Sequence, residues 1–345
     1  MRRSLLYLVI SSLFFSSCEK FIETIPGDKL SGYKPKLVVS SAISPDEEII
    51  EVYVGESVPV FEYNQNLTQS YYVNALGDTT QLGSDFVGIS NAEVKLLGQN
   101  GEISFTFDPN SYTYRFIQDV EAPFLNPGEH YQLTVKANGK TVTAQTTIPN
   151  AVPNIEEVKM KVIKRNFGED NRYLIPSFTV NWKDLSEAGN YYIVRGSATG
   201  TDTLFFNFAG NSSIPSNAVP VENGWYKIPT NTLYNLYFGN SLAGDFLNQV
   251  DFSKTAELYL QTSKYNGSNY EDVSPVLETL TVKLLNIDES YAKFEDSRLR
   301  QNDGNPFVEP TPLYSNIIGG LGFFGSFRSS TAAFTINENE FLIPQ

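Results

Sequence analysis

The strongest constraint on this chain is its alternation. From Lys36 onward, short runs with an apolar residue at every second position are punctuated by Gly, Pro, Asn and Asp, the period-two pattern of strands that bury one face. KLVVSSAIS (36–44) and EEIIEVYVGES (47–57) open the series. NAEVKLLGQNGEISFTF (91–107) continues it, with a hairpin turn expected at Gln99-Asn100-Gly101, and LNPGEHYQLTVKANGKTVTAQTTIP (125–149) holds a second hairpin at Asn138-Gly139.

Within the last run, Leu125-x-Pro127-x-x-x-Tyr131 resembles the tyrosine corner of immunoglobulin-like and fibronectin-type sandwiches, whose hydroxyl bonds back to nearby backbone. Residues 36–149 are therefore expected to form one β-sandwich, interrupted by an insertion near 62–86 that carries Tyr63, Tyr71 and Tyr72. Pro149 and Pro153 bracket a stiff link to a second sandwich-like unit, 154–345. There IEEVKMKVIKRNF (155–167), YLIPSFTVNWKD (173–184), GNYYIVRGSATG (189–200), AELYLQTSKY (256–265) and LETLTVKLLNI (277–287) alternate again, with Trp182 at an inward position. Residues 201–246 read as a less regular aromatic insertion. DESYAKFEDSRLRQND (288–303) predicts one helix, near 288–300, capped by Asp288, with Arg298 and Arg300 suited to its C-terminal end. The fold class is mostly β, two sandwich-like domains with one helix packed on the second.

The N-terminus supplies an address. Arg2 and Arg3 precede an apolar stretch, Leu5 to Phe15, too short to span a bilayer comfortably, and Ser16 and Ser17 stand directly before Cys18, the single cysteine. Small residues placed before a lone cysteine match a bacterial lipobox, so residues 1–17 are read as a lipoprotein signal peptide and Cys18 as the lipidated residue. Acyl chains contribute about 0.8 kcal/mol per buried methylene, and two or more hold a protein stably. Residues 18–35 carry Pro26, Gly27, Gly32 and Pro35 among charges and read as a tether.

Charge and composition narrow the chemistry. The net charge is −14, and loss of Arg2 and Arg3 with the signal makes it two units more negative, which argues against nucleic acid as a partner. His130 is the only histidine, which leaves no two-histidine metal centre, and it precedes the inward series Tyr131, Leu133 and Val135 as a solvent-facing strand-edge residue. The acidic pairs Glu169-Asp170, Glu271-Asp272 and Glu295-Asp296 raise glycoside hydrolysis, but adjacent acids on a strand point to opposite faces. GEDNRY (168–173) is read as a polar turn and not an oxygen-ligand site. No enzymatic activity, metal or cofactor is expected.

After the helix the chain reads GNPFVEPTPLYSNIIGGLGFFGSFRSS (304–330). The lipobox, the KLVVSSAIS opening, the WKD and GNYYIVRG strands and the pattern GNPFxEPxPxYSNIxGGLGxFG together resemble the Bacteroidota outer-membrane lipoproteins catalogued as domain of unknown function 4249. The resemblance spans the mature chain and implies an accessory lipoprotein, often accompanied by TonB-dependent outer-membrane transporters. Glu19, Lys20 and Glu23 partly resemble the signal that sends such lipoproteins to the cell surface instead of the periplasmic face. A partner in ligand capture for a β-barrel transporter is the first expectation. A structural or assembly subunit and a surface adhesin are the alternatives.

Two kinds of surface remain candidates. In the C-terminal motif, the prolines and glycines shape backbone while Phe323, Phe324 and Phe327 fill core, or else Phe307, Glu309, Tyr314 and Asn316 form a preorganised docking edge. WYKIPTNTLYNLYFGN (225–240) gathers Trp225, Tyr226, Tyr234 and Tyr237, and with Tyr71 and Tyr72 these aromatics suit either packing or stacking on a ligand.

Overall fold

The computed structural model describes residues 34–57, 70–73, 79–82, 86–119, 121–166, 172–186, 189–208, 214–221, 223–239, 250–301 and 312–337. The first unit contains β1 (Leu37–Ile43), β2 (Ile49–Ser57), β3 (Ser70–Val73), β4 (Thr79–Leu82), β5 (Phe86–Gly88), β6 (Glu93–Gly98), β7 (Gly101–Ser104), β8 (Thr106–Asp108), β9 (Thr113–Ile117), β10 (His130–Ala137) and β11 (Lys140–Thr147). β1, β2, β9 and β8 lie side by side in one sheet, and β11, β10, β6 and β7 form another. Alternation drives the two together. Leu37, Val39, Val52 and Val54 from the first sheet share a core with Leu96, Tyr131, Leu133 and Val135 from the second. Both expected hairpins form, and the second places Asn138 and Gly139 at positive φ, as a tight two-residue turn requires.

The second unit begins with β12 (Ile155–Asn166), β13 (Arg172–Lys183), β14 (Tyr191–Asn207), β15 (Val219–Pro220), β16 (Trp225–Tyr237) and β17 (Asp251–Glu257). It continues with β18 (Leu260–Gln261), β19 (Ser263–Tyr265), β20 (Tyr270–Asp272), β21 (Val276–Ile287), α1 (Glu289–Gln301) and β22 (Leu321–Thr335). β12, β13 and β17 make one sheet, facing a larger one ordered β15-β16-β14-β21-β22. Phe178, Val180 and Trp182 meet Tyr192, Val194, Val282 and Leu284 between them. Trp182 stacks on Phe252 with ring centroids 5.5 Å apart.

The interval 201–246, expected to be irregular, instead contains most of a long hairpin, because β14 and β16 pair from Arg195↔Tyr237 to Asn207↔Trp225. Pro229, Asn231 and Asn235 disguise β16 in the sequence. Proline is tolerated there because β16 lies near the sheet edge, where a missing ladder donor costs little.

β22 belongs to both units. Its first half, Leu321–Ser326, runs parallel to Val38–Ile43 of β1, and its second half, Phe327–Thr335, runs antiparallel to Thr279–Ile287 of β21. The larger sheets of the two units thus merge into one ten-stranded sheet. Within 154–345, expected to form the second unit, Leu321–Ser326 pairs with a strand of the first. The helix covers the seam: Tyr291, Ala292 and Phe294 pack on Ile193, Leu285, Phe323 and Phe327, with Phe294 stacked on Phe323 at 4.1 Å.

Glycine makes this strand possible. Gly322 has φ +104° and lies opposite Val39, where a Cβ would come within 2.0 Å of the Val39 carbonyl oxygen. Gly101 has a similar φ of +113° with nothing within 4 Å of the same position. Gly322→Ala is therefore expected to cost roughly 2–4 kcal/mol, from steric misfit added to backbone strain, and Gly101→Ala about 1 kcal/mol, from strain alone. Urea unfolding of the two variants checks the difference; equal losses would show that the close approach to β1 does not matter.

Candidate functional site at the junction

The seam between the units carries a polar cluster. Asp288 follows β21 and caps the helix, its Oδ1 accepting from the Tyr291 N–H at 2.8 Å. On its other side Oδ2 accepts from the Thr146 hydroxyl of β11, which lies 2.9 Å from the Ser326 hydroxyl of β22. The Asp288 N–H donates to the Ser326 carbonyl at 2.9 Å, and the Ser326 hydroxyl donates to the Thr147 carbonyl, also at 2.9 Å. One carboxylate thereby joins a helix, a strand of the first unit and the shared strand. The residue keeps some surface, but its carboxyl is enclosed, and burial pushes its pKa up to about 6 against the lowering effect of these donors.

Beside the cluster opens a cleft of about 450 Å³, lined by His130, Thr147 and Asn150 from the first unit and by Asn190, Asn286 and Glu289 from the second. Asn286 is buried, and its Nδ2 donates to the Ala151 carbonyl at 3.1 Å and to Asn190 Oδ1 at 3.3 Å. These bonds hold the linker between the units against β21. His130 is exposed, and its Nδ1 sits 3.2 Å from the Thr147 hydroxyl across the β10–β11 ladder. The cleft's chemistry is that of hydrogen bonding by amides, hydroxyls and carboxylates. Among the described residues, no group of three or more His, Cys, Asp or Glu converges as a metal site.

Tyr131 is fully buried, accepts from the Asn126 N–H at 2.7 Å and donates to Glu129 at 2.8 Å, which gives the corner motif its expected backbone bond. The second unit repeats this geometry. Tyr192 accepts from the Leu185 N–H at 2.8 Å and donates to Asp184 at 2.7 Å. No Leu-x-Pro signature precedes Tyr192; a tyrosine following Asp184 at a strand start is the only cue in the sequence.

The residues singled out by sequence do not converge. Cys18, Phe307 and Glu309 lie outside the described residues, as do residues 168–171 of the polar turn. Tyr71 and Tyr72 lie in β3, which pairs with β4. Trp225 and Tyr237 share one face of β16 while Tyr226 and Tyr234 share the other, because neighbouring side chains alternate along a strand. Trp225 packs 6.2 Å from Tyr265, Tyr226 packs 5.4 Å from Phe208, Tyr234 leans on the core of the second unit, and Tyr237 is exposed. These four therefore make no single stacking platform.

Tyr314 is half-buried; its N–H donates to the Ser297 hydroxyl at 2.9 Å, and Lys293 lies 6.0 Å above its ring. Asn316 has a structural task. Its Nδ2 donates to the Phe324 carbonyl at 2.7 Å and its Oδ1 accepts from the Phe324 N–H at 2.9 Å, so the amide acts as a strand neighbour for β22. Glu169-Asp170 lies outside the described residues, and the other two acidic pairs are spent on ions: Glu271 with Lys227, Asp272 with Arg172, Glu295 with Arg298 and Asp296 with Arg300.

Architecture and site define a mostly β protein of several sheets with one helix among the described residues, whose two units are joined through a shared strand and a buried carboxylate. The chain belongs to the family described as Domain of unknown function (DUF4249), which matches residues 23–333. No curated protein matches it.

Two outcomes follow from this geometry. Tyr131→Phe should destabilise the protein by roughly 0.5–1.5 kcal/mol, the net value of a lost hydrogen bond, while His130→Ala should stay within about 0.5 kcal/mol of the parent. Denaturant titration of both variants checks the order, and a larger loss from His130→Ala would reverse the assignment. A carboxyl with a raised pKa contributes stability fully below its ordinary range, roughly pH 4, and loses it as pH rises through about 6. Asp288→Asn, which keeps a capping side chain, should therefore flatten the fall in stability between pH 4 and 7. Melting curves across that range test it, and parallel curves for the two proteins would show that Asp288 ionisation is not coupled to folding.

Proposed function

We propose that this chain is a non-enzymatic lipoprotein of the outer membrane, anchored through Cys18 and exposed at the cell surface, which partners a TonB-dependent transporter or another β-barrel complex in ligand capture. In this reading its two units are immunoglobulin- or fibronectin-like sandwiches and act as one rigid body. The observation that carries the reading is the N-terminal sequence: a basic start, a short apolar stretch and serines directly before the single cysteine. The architecture is compatible with it. β1 begins just after the tether, inside the shared sheet between β22 and β2, and the strand pairing through β22 links the anchored end to the distal unit. No helix among the described residues is long and apolar enough to cross a membrane, so in this reading attachment falls to the acyl chains.

Cys18→Ala should leave the fold intact and release the protein from membranes. Fractionation after a high-salt wash tests the anchor; retention of the variant in the washed pellet would refute it. Co-purification of the tagged parent from solubilised outer membranes tests the partner, the expected result being a stoichiometric β-barrel protein.

A further inference from the structure

The cleft beside Asp288 has a wall that lacks one hydrogen bond. Asn286, set in β21 between β14 and β22, is 2% exposed, and its Nδ2 is committed twice, to the Ala151 carbonyl and to Asn190 Oδ1. Its Oδ1 is enclosed and meets no donor among the described residues. The amide of Asn190 is turned the other way, its Nδ2 donating to the Leu185 carbonyl at 3.5 Å. Around Asn286, Leu284, Leu285 and Ile287 are apolar and buried, so an amide here is the exception in its strand. A buried acceptor without a donor costs stability unless a group from outside supplies the proton. Asn286 lines the cleft, which is the side from which a donor can come.

The rest of the lining selects the kind of donor. No lysine or arginine lines the cleft, and both of its carboxylates are engaged: Asp288 by the Tyr291 N–H and the Thr146 hydroxyl, and Glu289 by Lys293 at 2.7 Å. Arg328, nearby, divides its guanidinium between Asp46 and the Asn150 carbonyl. A phosphate or carboxylate ligand therefore meets no lining cation and is opposed by two acids in a protein of net charge −14. An ammonium group would have to shed its water to reach an oxygen as enclosed as Asn286 Oδ1, whereas a hydroxyl sheds far less. The exposed lining residues Gln145, Thr147 and Asn150 are neutral and carry groups that both donate and accept, as hydroxyls do. The volume, about 450 Å³, falls among small-molecule sites and holds roughly one or two sugar rings.

We infer that this cleft binds a neutral saccharide, one hydroxyl of which donates to Asn286 Oδ1 while Gln145 and Asn150 bond others at the rim. This deepens the ligand-capture reading and rests on it for the use to which a bound sugar is put; the binding itself does not depend on a transporter or on the lipid anchor.

Calorimetric titration of the full-length protein tests this, in a polyoxyethylene detergent that has no sugar headgroup, with glucose, galactose, mannose, N-acetylglucosamine, maltose and lactose as probes. At least one should bind with a Kd of about 1 mM or below. Deoxy analogues of that sugar should reveal a hydroxyl whose removal weakens binding at least tenfold. The bound sugar should slow hydrogen exchange in residues 145–150 and 286–290 and leave Ile155–Asn166 unchanged. Gln145→Ala combined with Asn150→Ala should weaken binding at least tenfold with an unchanged melting temperature, since both side chains are exposed; if that variant does not fold, the exchange pattern of the parent protein decides. Three results would overturn the inference: no binding of any probe, binding without protection at the cleft, or tighter binding of glucose 6-phosphate or glucosamine than of glucose. Such a failure would leave the Cys18 and co-purification results standing, and failure of those would leave a measured sugar affinity standing.

Discussion

The pairing of one strand with two neighbours of opposite direction sets the geometry of this molecule. β22 lies parallel to β1 through Ser326 and antiparallel to β21 from Phe327 onward, so the last described strand pairs with the first described one. A parallel neighbour needs a long crossover, and here nearly the whole sequence serves as that crossover. The first unit cannot complete its larger sheet until the second has been made. Native contacts are therefore of high sequence separation, which favours slow, concerted folding over independent folding of two domains.

The polar groups at the seam reinforce the same union. Asp46, in the turn between β1 and β2, receives the Arg328 guanidinium at 3.0 Å and the Ser329 N–H at 2.7 Å, and Glu47 from the same turn pairs with Lys283 of β21. These ions are largely shielded, with side-chain exposures of 13–22% for Arg328 and Asp46 and 17% for Lys283 and Glu47. Shielded pairs contribute little net stability when intact, yet removing one partner strands the other. Their effect is on geometry: a small rotation between the units would break several at once, together with the bonds from Thr146 and Ser326 to Asp288. The junction is held in one arrangement by groups that tolerate no alternative.

Much of the strand pattern was legible, because burying one face of a sheet writes a period of two into the sequence. The runs 36–44, 47–57, 91–107, 125–149 and 277–287 announce strands for that reason, and Asn138-Gly139 a turn by its need for positive φ. Asp288 was legible as a cap. Its burial was not, since the residues that enclose it, Thr146 and Ser326, come from distant parts of the chain and look like ordinary strand hydroxyls. β16 was missed because edge strands tolerate proline and asparagine, and those residues read as turns. The membership of Leu321–Ser326 in the first unit had a cue in Gly319-Gly320-x-Gly322, which marks close backbone approach without naming the strand approached.

The same alternation decides what the aromatic residues of β16 can do. A cluster that is dense in sequence is divided in space, with Tyr226 and Tyr234 turned to one side and Trp225 and Tyr237 to the other. Trp225 is further committed to Tyr265, and its indole lies over Gly267, where any side chain would collide with it. The four rings are therefore separate packing elements of two faces, and the density of aromatics in the sequence does not become a shared pocket in the fold.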